Sequence, residues 1–299
     1  MKTIYTLTAS ALLLIGSIRV NAQDAPLFDA AATPQLISKQ FSFTEGASTD
    51  KKGNIFFTDQ PNDKIWEYDT DGKLSLFMDG TGRSNGMYFD KKGNLITCAD
   101  QKGELWSISP KKAVTVLLTN YQGHTLNGPN DVWVDDNGGI YFTDPYYQRD
   151  YWTRKKSDLD GEKVYYLPKG TKAPIIVAAD LKRPNGIVGT PDGKNLFVAD
   201  IDGNKTFKYT INKDGSLSDK TLFTDQGSDG MTLDERGDVY LTSKAGVTVY
   251  GPDGKKITLI PINEPWTANL CFGGKNKDIL FITASKAIYT MQMKVKGVE

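Results

Sequence analysis

The chain repeats itself. Asp50-Lys51-Lys52-Gly53-Asn54 recurs unchanged as Asp90-Lys91-Lys92-Gly93-Asn94. Looser copies are Asp135-Asp136-Asn137-Gly138-Gly139, Thr190-Pro191-Asp192-Gly193-Lys194 and Asp234-Glu235-Arg236-Gly237-Asp238, with Gly273-Gly274-Lys275-Asn276-Lys277 the weakest. Each is a turn whose positive-φ position suits Gly or Asn. Each leads into a short β-rich run, from Ile55-Phe56-Phe57-Thr58 to Ile279-Leu280-Phe281-Ile282-Thr283. A second turn series, such as Asp69-Thr70-Asp71-Gly72 and Gly251-Pro252-Asp253-Gly254, falls between the third and fourth strands of a unit. Four strands per unit and six units predict an all-β, six-bladed β-propeller with four-stranded antiparallel blades. The last unit runs out after its third strand. Residues 35–43 supply the missing outer strand, which closes the ring and removes an exposed edge. No linker or composition shift divides the chain, so one propeller domain is expected over residues 23–299.

Charge narrows the partners. The chain has 299 residues, 36 basic and 36 acidic. No block of one sign stands out, which argues against nucleic acid and anionic membrane. Residues 1–22 read as a secretory signal peptide: Lys2, an apolar stretch from Leu7 to Ile18, and Val20-Asn21-Ala22 as the cleavage site. An exported protein, periplasmic or extracellular and without a membrane anchor, is therefore expected. Cys98 and Cys271 each sit within an apolar run and read as buried thiols, although export permits a disulfide.

One position per repeat, just before the first strand, carries an amide or a carboxylate. It reads Glu45, Asn85, Asn130, Asn185, Asp229 and Asn269. The first strand of a propeller blade is innermost, so these six side chains should converge on one mouth of the channel. A second series, Asp59, Asp100, Asp144, Asp200 and Ser243, follows at a constant offset of 14 or 15 residues and should share that face. A ring of oxygen donors with two or three negative charges suits a hard divalent cation. Ca²⁺ fits best, and Mg²⁺ or Mn²⁺ also fit. One His and two distant Cys argue against zinc or copper. Asn and Asp at such positions can also serve only as turn residues that bond their own backbone.

Two runs carry a family resemblance. Leu126-Asn127-Gly128-Pro129-Asn130-Asp131-Val132 and Gly139-Ile140-Tyr141-Phe142-Thr143-Asp144-Pro145 resemble the SMP-30/gluconolactonase (regucalcin-like) family. Thr44-Glu45-Gly46, Arg183-Pro184-Asn185-Gly186-Ile187 and Ser228-Asp229-Gly230-Met231 match further motifs. The resemblance implies a lactonase with one catalytic divalent ion held by Glu45, Asn185 and Asp229, with Asn130 facing substrate or completing the shell. It also implies an acid–base role for Asp144. One departure is visible. The mammalian branch places an Arg two residues before the motif Asn, where this chain has Gly128.

Lactone opening needs a polarised carbonyl and a base for water. Asp229 is the first candidate for the base and Asp144 the second. Asn130, Asn85 and His124 are candidates to contact substrate, although a lone exposed loop His such as His124 is more often incidental. Trp266 and the insertion Tyr146-Tyr147-Gln148-Arg149-Asp150-Tyr151-Trp152 offer either a wall for a cyclic substrate or packing between blades. A paraoxonase-like aryl esterase or phosphotriesterase, and a non-catalytic metal-containing propeller that binds a small molecule or partner, are the competing readings. Gly82-Arg83-Ser84-Asn85-Gly86 fits a nucleophile-elbow pattern, but a strand follows it where that motif requires a helix.

Overall fold

The computed structural model describes residues 25–298; the signal peptide expected over residues 1–22 lies outside them. Six four-stranded antiparallel sheets follow one another in sequence order. Their innermost strands are Thr44–Thr49, Ser84–Phe89, Val132–Val134, Pro184–Gly189, Met231–Leu233 and Thr267–Gly273, in blades 1 to 6. Blade 6 takes its outer strand, Gln35–Ser38, from the start of the described chain, paired antiparallel with Ala287–Gln292. The chain is a six-bladed β-propeller closed by an N-terminal strand, as the repeat requires.

The repeated turn explains itself atom by atom. Asp50 Oδ1 accepts hydrogen bonds from the Lys52 and Asn54 amides at 2.8 and 2.9 Å, while Gly53 sits at φ 92°. Asp90, Asp135 and Asp234 bind their own turns in the same way. The Asp fixes the turn and the Gly occupies a backbone region that side chains resist. Apolar residues of neighbouring blades then interlock. Phe57 of blade 1 meets Phe281 of blade 6 at 5.4 Å and Phe41 at 5.2 Å. Cys98 and Cys271 are both buried, on blades 2 and 6, as their apolar surroundings in the sequence predict.

The turn of blade 5 carries a cost. Asp238 is buried, and burial together with the neighbouring Asp234 charge raises its pKa to about 6. The folded state therefore favours the protonated form, so stability falls as pH rises from about 4 through about 6. Asp238→Asn should raise the melting temperature at pH 7.5 by roughly 2–4 °C, equivalent to about 1 kcal/mol after solvent screening. Thermal denaturation across pH checks this: the gain should disappear below about pH 4.

Candidate active site at the channel mouth

The six ring residues stand at the entries of the inner strands, where strand pairing is irregular. Register shifts interrupt the inner strands between Glu45 and Ser48, Ser84 and Met87, Pro184 and Ile187, and Thr267 and Asn269. Such bulges re-aim side chains. The second strands hold the displaced backbone. Thr242 Oγ1 accepts from the Gly230 amide at 2.9 Å, and Thr283 Oγ1 accepts from the Asn269 amide at 2.8 Å.

Convergence follows. A cavity of about 440 Å³ is lined by Glu45, Asn85, Asn130 and Asp229, together with Phe43, Gln60, Tyr147, Arg149 and Trp266. Asn185 does not itself line the cavity but is tied to two residues that do: it donates from Nδ2 to the Tyr147 hydroxyl at 3.1 Å and hydrogen-bonds Asp229. Asn269 is buried and bonds Glu45. Trp266 Nε1 donates to Asp229 Oδ2 at 2.6 Å. Glu45 and Asp229 are in hydrogen-bonding contact. Burial first, and then the Asp229 charge, hold the Glu45 carboxyl well above its usual range. Asp229 is raised chiefly by desolvation. Further cavities, of about 340 Å³ at the opposite mouth and about 460 Å³ between blades 2 and 3, contain none of the ring residues.

These donors fit a hard cation. Two carboxyls are pressed together at a cost that a divalent charge would remove. Asn85 Oδ1 and Asn185 Oδ1 are buried and accept no hydrogen bond, which is expensive unless a bound cation or ligand takes them. Among the described residues, no three His, Cys, Asp or Glu side chains gather as a metal cluster. The donor set is therefore a mixture of amide and carboxylate oxygens, which suits calcium far better than zinc.

The second Asp series shares the face, since Asp59 pairs with Thr44 and Asp200 with Pro184. Its chemistry differs from the reading that put Asp144 in catalysis. Asp144 is fully buried, and its two oxygens accept from the Asn127 and Gly128 amides at 2.9 and 2.8 Å. Asp59 clamps the Ser42 and Phe43 amides, and Asp200 those of Lys182 and Arg183. These carboxylates fasten each incoming loop to its blade. Asp144 stands behind the cavity wall, with burial raising its pKa to about 7. His124 also departs from expectation: it is exposed in a surface turn, 3.5 Å from Asp158, and does not line the cavity. Asp144→Ala should cost about 2 kcal/mol by orphaning two buried amides, visible as a melting temperature lower by several degrees. An unchanged melting temperature would contradict the clamp.

The insertion after Asp144 forms part of the wall. Tyr147 and Arg149 line the cavity. Trp152 is buried and donates from Nε1 to the Gln101 carbonyl at 3.0 Å. Gly128 has no room for a side chain: a Cβ there would lie 2.5 Å from Asp100 Oδ1 and 2.9 Å from the Trp152 ring.

Fold and site together define a β-propeller whose channel mouth is lined by oxygen donors around two acidic groups. The chain belongs to the SMP-30/gluconolactonase/LRE-like family, whose model matches residues 43–286. It is 28% identical to a gluconolactonase of Zymomonas mobilis over 91% of this chain and 84% of that protein. Two solved structures share the fold. A gluconolactonase of Xanthomonas campestris is 24% identical, with a TM-score of 0.83, covering 91% of this chain and 92% of that one. A calcium-binding regucalcin of Agrobacterium tumefaciens is 16% identical, with a TM-score of 0.74, covering 91% and 97%.

Proposed function

We propose that the chain is a divalent-metal-dependent lactonase, with calcium as the ion and a small lactone as substrate. One observation carries the reading: Glu45 and Asp229 share one mouth with the unpartnered amide oxygens of Asn85 and Asn185. The gluconolactonase relative in Zymomonas mobilis supports the substrate class, and the calcium-binding description of the Agrobacterium regucalcin supports the ion. Glu45, Asn185 and Asp229 would hold the ion, with Asn130 beside them.

A bound divalent ion would supply Lewis-acid polarisation of a carbonyl and acidification of water. The protein's own groups do the rest. Asp229 is the general base; Trp266 fixes one of its oxygens and so orients the other. Asn85 and Asn130 present amides to the oxygens of the substrate. Tyr147, Phe43 and Trp266 give the ring a wall and limit competing water.

A panel of lactones assayed by proton release tests this. Hydrolysis should fall at least ~100-fold after chelation and return with Ca²⁺. Faster turnover of aryl esters or organophosphates would favour the paraoxonase-like reading. Folded, calcium-loaded protein inert on every lactone and ester would leave a binding scaffold.

A further inference from the structure

Among the aspartates of the second series, Asp100 alone does not clamp its incoming loop. In blade 2 the backbone ahead of the inner strand is held by Asp63, whose Oδ1 accepts from the Thr81 and Arg83 amides at 2.9 and 2.6 Å. Asp100, which ends the second strand of that blade, is released from this duty. It is fully buried, and its Oδ2 instead accepts three side-chain donors: Arg149 Nε at 2.7 Å, the Tyr151 hydroxyl at 2.7 Å and Gln60 Nε2 at 2.8 Å. All three come from segments that cover or line the mouth. Asp100 is thus the point at which the 146–152 insertion is fastened over the site.

What this fastening delivers is a guanidinium. Arg149 lines the same cavity as Glu45 and Asp229, and its side chain is 25% exposed. Its charge acts on both carboxyls. Among the described residues, Asp100 is the only hydrogen-bond acceptor of this guanidinium, through Nε, which leaves its two terminal amino groups without an acceptor. A planar guanidinium anchored at Nε, with those groups unspent, is a preorganised donor for paired oxygens. Its other cavity neighbours include aromatic Tyr147 and Trp266.

We propose that Arg149, positioned by Asp100, is the specificity-determining residue that selects lactones bearing ring hydroxyls over unsubstituted lactones. The inference rests on the lactonase reading for its substrate class. Asp100 acts only through Arg149 and is a positioning residue.

The test compares two lactones of equal ring size, one polyhydroxylated (glucono-δ-lactone) and one unsubstituted (δ-valerolactone), on calcium-loaded protein. The readout is the ratio of their kcat/KM values. Arg149→Met should lower that ratio at least ~30-fold, because unpaired substrate oxygens are rejected strongly. Asp100→Asn should lower it about tenfold, and the double variant should be no worse than Arg149→Met alone. A ratio within threefold of wild type in Arg149→Met overturns the proposal, whatever happens to the separate rates. Binding of glucitol, a neutral polyol, followed by Trp fluorescence on the same proteins, separates the two layers. If wild type hydrolyses neither lactone yet binds glucitol at least tenfold more tightly than Arg149→Met, the lactonase reading falls and the Arg149 site stands. Equal glucitol affinity in that case removes both.

Discussion

Asp229→Ala should lower lactone hydrolysis by at least ~10³-fold while leaving the melting temperature within a few degrees of wild type. On the proposed mechanism Asp229 both holds the ion and takes a proton, so its loss would remove two functions together. Its contribution to folding runs the other way. Its carboxyl is desolvated and lies against Glu45, and removing one of two like charges relieves repulsion. Trp266 loses an acceptor at 2.6 Å, which offsets part of that relief. Initial rates and thermal denaturation on the same preparation check the split. Activity within tenfold of wild type would remove Asp229 from the mechanism. A collapse of the melting temperature would make it structural.

Gly46→Ala should be strongly destabilising. A Cβ at Gly46 would lie 2.0 Å from the Asn85 carbonyl oxygen, and the residue sits at φ 55°. Both objections concern backbone, which cannot rotate away. The inner strands of blades 1 and 2 approach closely there because Glu45 and Asn85 must reach the same axis. The expected cost exceeds ~4 kcal/mol, well beyond the ordinary range for a single change. Gly93→Ala is the control: its φ is 82°, but nothing lies within 4 Å of an added Cβ. That change should cost only about 1 kcal/mol. Chemical denaturation of both variants decides it, and equal losses would contradict the account of the ring.

The architecture was legible because turn chemistry is local. An Asp that binds two amides of its own turn, followed by Gly at positive φ, leaves the same trace in each copy, and six copies fix the blade count. The ring was legible through its constant offset from those turns. The bulges that aim Glu45, Asn85 and Asn185 were not, since an irregular register has no residue signature of its own. Asp144 misled because a strand-end carboxylate reads alike whether it meets substrate or backbone amides. His124 misled because chain proximity to Asn130 is not proximity in space. Arg149 was visible only as one letter in an insertion that breaks the repeat; nothing local says that Asp100, 49 residues earlier, takes its Nε. Gly128 could be seen to depart from the family pattern, but the cause, the Asp100 oxygen and the Trp152 ring filling its space, exists only in three dimensions.

Calorimetric titration of chelator-treated protein with Ca²⁺, on wild type beside Glu45→Gln and Asp229→Asn, probes the site most directly. Wild type should show one saturable site per chain, and each variant should weaken it at least ~100-fold, the loss expected when one charged oxygen leaves a small coordination shell. Saturable binding of equal strength in all three proteins, or none in wild type, would contradict it.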